Sequence, residues 1–93
     1  MATMTKDAAE GIAVDAMTFL AFDQDLMERF LALAGLTPET VRVAARDPGF
    51  LASVLRHILE SEPVLLEFAA HAQLRPEDVV SAARALGATD EPS

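Results

Sequence analysis

FLALAGLTPETVRVAAR, residues 30–46, returns 38 places later as FAAHAQLRPEDVVSAAR, residues 68–84. Ten of the 17 aligned positions are identical, among them Phe30/Phe68, Leu36/Leu74, Pro38/Pro76, Val41/Val79, Ala45/Ala83 and Arg46/Arg84. Each shared residue has a structural reason to be there. The leucine packs a turn, and the proline takes the first position of a helix, where its missing N–H has no helical partner to lose. The glutamate suits the positive end of that helix and the arginine its negative end. Valine and the alanine pair let two helices approach closely. The phrase is therefore a helix end, a turn and a new helix, written twice.

Reading outward, the apolar residues recur with the helical period and never alternate for long with period two. Helix 1 is expected over 7–22, with Ala9, Ile12, Ala13, Ala16, Met17 and Leu20 on one face. Asp23 is placed to cap helix 2, residues 24–34, whose stripe is Leu26, Met27, Phe30, Leu31 and Ala34, and Gly35 sits where a left-handed cap would end it. Thr37 caps helix 3, which starts at Pro38 and turns Val41, Ala44 and Ala45 inward. Asp47-Pro48 opens helix 4, residues 48–60, with Phe50, Leu51, Val54, Leu55, Ile58 and Leu59 as the clearest amphipathic stripe. Ser61 is the expected cap of helix 5, residues 62–72, where Val64, Leu65, Phe68, Ala69 and Ala72 form a face widened by Leu66 and Ala70. Pro76 begins helix 6, which carries Val79, Val80, Ala83 and Leu86 and ends at Gly87.

The expected fold is all-α: a compact six-helix bundle built from two pseudo-repeated three-helix units, about 7–47 and 48–87. Two copies are few for an open solenoid, so the units should close on each other around one core. Residues 1–93 then form a single helical domain, with 88–93 as a flexible tail.

The order of FLALAGLTPETVR, DPGFLASVL, SEPVLLEFAA and RPEDVVSAARALG resembles a family of short bacterial proteins, domain of unknown function 3572. The resemblance runs from Phe30 to Gly87, about two-thirds of the chain. It implies a compact helical domain in an intracellular bacterial setting. It supplies no activity and no catalytic residue.

Composition excludes several classes. Fifteen acidic residues against seven basic give a net charge of −8, which repels a polyanion. There is no cysteine, hence no disulfide framework and no thiolate metal site. No run approaches the roughly 20 apolar residues of a membrane span. The N-terminal stretch, with Lys6 followed by Asp7 and Glu10, lacks the pattern of a signal peptide, so the expected location is the cytoplasm.

Candidate chemistry is sparse. The glycine, leucine and valine spacing in FLALAGLTPETVRV fits a helix-turn-helix, but the second helix carries Arg42 and Arg46 beside Glu39 and Asp47 and offers no basic stripe. His57 lies three places before Glu60 and His71 four after Glu67, and neither follows the Glu-x-x-His order of bundle metal sites. Both histidines are expected at the surface in local ion pairs. Ser53, Ser61 and Ser81 stand in no nucleophile motif, and the four glycines form no phosphate loop. The expectation is a non-catalytic protein-interaction or regulatory module without metal or cofactor, partnered by another protein or by a second copy of itself. A degenerate helix-turn-helix regulator is the alternative. The candidate partner surface is Phe19, Phe22, Leu33 and Leu66, large apolar residues that a small bundle has difficulty covering.

Overall fold

A computed structural model describes residues 4–87. Among them are six helices and no strand: α1 Lys6–Ala21, α2 Gln24–Ala34, α3 Pro38–Ala44, α4 Pro48–Leu59, α5 Glu62–Ala72 and α6 Pro76–Ala85. The residues after Gly87, expected as a tail, lie outside those described.

The helix starts follow from local chemistry. Four unpaired N–H groups open every helix, and a short polar side chain satisfies one of them. Thr5 Oγ1 accepts from the Ala8 N–H at 3.1 Å, Asp23 Oδ1 from Leu26 at 3.2 Å, and Asp47 Oδ1 from Gly49 at 2.9 Å. Thr37 and Thr40 cap reciprocally, each hydroxyl accepting the other residue's backbone N–H. At α6 the Asp78 carboxylate reaches back to the Arg75 N–H at 3.0 Å. That hydrogen bond, with the Arg75 guanidinium at 3.4 Å, holds the Asp78 carboxyl below the usual carboxylate range. Ser61 holds the cap position of α5, yet its side chain makes no capping bond, contrary to the expectation.

The ends of α2 and α5 match closely. Leu36 N–H bonds the Leu31 carbonyl at 2.8 Å, and Leu74 N–H bonds that of Ala69 at 2.8 Å. Both closures require a left-handed residue. In the first it is Gly35, at φ 72°; in the second it is Gln73, at φ 59°, the one non-glycine with positive φ among the described residues. An L-residue held there is strained by roughly 1–2 kcal/mol. Gln73→Gly should therefore stabilise the fold by about 0.5–1 kcal/mol once glycine's extra chain entropy is deducted. Gly35→Ala should cost about 1 kcal/mol, and a Cβ there meets nothing within 4 Å, so the cost is purely conformational. Urea denaturation of both variants measures the pair; equal signs would contradict the shared geometry.

The core collects Ala9, Ala13, Ala16 and Leu20 of α1, Phe30 of α2, Phe50, Val54, Leu55 and Ile58 of α4, Phe68 and Ala69 of α5, and Val79, Ala82 and Ala83 of α6. The alanine face of α1 lets α4 and α6 come close, and these two helices make its main contacts. Phe30 meets Phe50 edge-on, with centroids 5.9 Å apart. α3 contributes no buried residue. Val41 and Ala44 are half-buried, but Ala45 is exposed rather than turned inward. The reason is chain length: only residues 45–47 separate α3 from α4, so the chain leaves before Ala45 can be covered. Ala34, Leu66 and Ala70 are also exposed, so the stripes of α2 and α5 are narrower than their sequences suggest.

Candidate functional site

Val14, Thr18 and Phe22 follow at intervals of four, one above another along α1 and its C-terminal cap, Phe22. Together with Met17 and Ala21 they form one wall of an open groove of about 440 Å³; Ala45, just past α3, and Leu51 of α4 complete it. Phe22 is 84% exposed and Val14 52%. Both side chains leave apolar surface open beside this concavity. Among these lining residues the hydroxyl of Thr18 is the one hydrogen-bonding side chain, and it donates to the Val14 carbonyl at 3.0 Å. The groove can bury an apolar side chain, and none of these lining residues is an acid or a base.

The four residues expected to form a partner surface stand in different settings. Phe22 edges the groove. Leu33, 69% exposed, edges a second hollow of about 210 Å³ with Phe30, Ser53, Arg56, His57 and Glu60. Leu66 is half exposed on α5 and lines neither. Phe19 is half-buried, its ring 5.6 Å from that of Phe68 and 5.6 Å from the His71 imidazole. Sequence reasoning missed Val14, Met17, Ala45 and Leu51. The eight-residue spacing of Val14 and Phe22, two steps of four, was a usable signal for the first; nothing local marks Ala45 as open.

The second hollow carries more polar groups. Ser53 Oγ donates to the Phe50 carbonyl at 2.7 Å, so it is occupied in a helix turn. His57 is half-buried instead of exposed, and stands edge-on to Phe30 at 5.2 Å. Burial lowers its pKa most; Glu60 raises it and Arg29 lowers it, the net shift being downward. Such a histidine resists protonation in the fold. The unfolded chain then binds more protons below the ordinary imidazole value of about 6.5, so stability falls as pH drops through that value towards the lower folded pKa. His57→Phe keeps a ring against Phe30 and removes the titration. It should flatten the slope of stability between about pH 7 and pH 5, read from urea midpoints at each pH; an unchanged slope would assign the dependence elsewhere. Among the described residues no three His, Asp or Glu side chains converge on one metal-sized position. No helix described is long and apolar enough to cross a membrane.

A family model described as a protein of unknown function, DUF3572, matches residues 6–89. The chain belongs to this family. No curated protein and no solved structure matches it. The matched span of this DUF3572 chain includes all six helices and both walls of the groove, so the open apolar surface lies within the family's own domain.

Proposed function

We propose that this DUF3572 chain is one non-catalytic domain that docks another protein in the groove edged by Val14 and Phe22. The observation that carries the reading is a phenylalanine left 84% exposed beside an apolar concavity whose polar side chain is already satisfied. Exposed aromatic surface costs solubility unless a partner covers it. The helix-turn-helix alternative rests on α2, Gly35 and α3. It is the weaker reading, because α3 is seven residues long and carries Glu39 beside its one arginine, Arg42.

A photo-crosslinking amino acid in place of Thr18 tests the docking role in the native cell. A discrete protein adduct that Phe22→Ser abolishes is expected. No adduct, or retardation of DNA at low salt, would overturn it.

The two helical triplets are, in the same reading, copies of one ancestral unit related by a pseudo-two-fold axis. α2 and α5 have equal lengths and start 38 places apart. The ring contacts are reciprocal. Phe19 of the first triplet meets Phe68 of the second, and their counterparts, His57 and Phe30, meet each other. A contact from i to j mirrored by one between their counterparts is the pattern of an isologous interface. It supports the fusion of two units that once paired as separate chains.

A further inference from the structure

We infer, resting on the docking role above, that α3 with its flanking turns, residues 36–47, is a lid on the groove that opens as one unit. The observation behind it is the uneven seating of two near-identical phrases. In α6, Val79, Ala82 and Ala83 are fully buried. The same places in α3 and its C-cap hold Val41 and Ala44, which are half-buried, and Ala45, which is exposed. Leu36, Val41 and Ala44 pack on the edge of the core, and Val43 is 70% exposed. The contacts that hold the bundle join α1 to α2, α4, α5 and α6, α4 to α5 and α6, and α5 to α6. Among the described residues α3 has no packing of that extent against another helix. Its own bonds are internal. Thr37 and Thr40 cap each other, and the Arg46 and Asp47 amides bond to the Val43 and Ala44 carbonyls at 3.1 and 2.9 Å. Such bonds do not tie the segment to α1 or α4. Local opening needs the least free energy where buried apolar contacts are fewest.

Opening changes the docking site. Ala45 lines the groove with residues of α1 and with Leu51. When α3 leaves, that wall leaves with it, and the core edge under Leu36, Val41 and Ala44 becomes part of the groove. The open form then receives a longer apolar segment than the closed form. A helix of seven residues does not persist in water without tertiary support, so α3 melts as it leaves. A site completed in a minor state binds with an affinity scaled by the population of that state. The stability of α3 therefore sets how tightly the groove binds.

Native-state hydrogen exchange on the full chain tests the lid. The Val41 and Ala45 amides bond to the Thr37 and Val41 carbonyls at 2.9 and 2.8 Å, so they exchange when α3 opens. Corrected for intrinsic rates, they should exchange at least about a hundredfold faster than those of Val79 and Ala83, with a shallower dependence on urea. Amides 41–45 should share one protection factor. Protection equal to that of α6, or a gradient rising from one end of α3, overturns the inference. Control of the groove is read with Nile red, an uncharged apolar dye. Arg42 is exposed on α3, and Arg42→Ala and Arg42→Gly remove the same charge but differ in helix propensity. From the alanine to the glycine variant, the α3 amides should exchange about fourfold faster and the dye should bind about fourfold more tightly. Phe22→Ser should weaken the dye by at least about threefold. Equal dye affinity in the two Arg42 variants, or indifference to Phe22→Ser, also overturns the inference. If the crosslinker at Thr18 gives no adduct while both fourfold responses hold, the docking role fails and the lid stands.

Discussion

Phe68→Ala should cost about 3–5 kcal/mol and lower the melting temperature by roughly 15–30 °C. Phe68 is fully buried on α5 and packs against Phe19. The loss has two parts: the transfer of a benzyl group from water, and the cavity left where α5 cannot collapse inward. A chain of this length is stabilised by about 5–14 kcal/mol in all, taking roughly 0.05–0.15 kcal/mol per residue, so the substitution removes a large share of it. Thermal and urea denaturation followed by far-UV circular dichroism measures the change. Phe30→Ala, at the counterpart position, should fall in the same range, because Phe30 is also buried and lies edge-on to both Phe50 and His57. A double-mutant cycle of Phe19 and Phe68 should return a coupling of about 0.5–1.5 kcal/mol from the ring pair. If Phe68→Ala loses less than about 1 kcal/mol, the aromatic pair does not hold α1 to α5.

Much of this architecture is legible without coordinates, and the reasons lie in particular residues. Asp23, Thr37 and Asp47 set helix starts through bonds to N–H groups two or three places on, so their effect is local and the sequence carries it. Phe50, Val54, Leu55 and Ile58 of the α4 stripe are buried as their spacing predicts, while Leu51 and Leu59 at its edges are half-buried. Gln73 was readable only through its alignment with Gly35; nothing in glutamine itself predicts a left-handed backbone. The groove was not legible. Phe22, Leu33 and Leu66 are exposed as large apolar residues in excess of the core, yet which of them borders a concavity depends on where α3 leaves α4 and α1. That is a tertiary fact, set by the three residues between Ala44 and Pro48. His57 shows the same limit. Its i, i+3 spacing to Glu60 suggests a surface ion pair, while the decisive neighbour is Phe30, 27 places away in sequence and on another helix.

Ala83→Leu should destabilise the chain by about 1–3 kcal/mol, whereas Ala45→Leu should change stability by less than about 0.5 kcal/mol. The two alanines occupy the same place in the repeated phrase, so sequence alone assigns them the same effect. Ala83 is fully buried on the face by which α6 meets α1 and α4, and three extra carbons there force those helices apart or push neighbouring side chains off their rotamers. Ala45 is exposed on the groove wall, where a leucine extends into open space. Urea midpoints on the two variants measure the difference. Equal destabilisation would mean that Ala45 is covered as fully as Ala83, against its exposure on the groove wall.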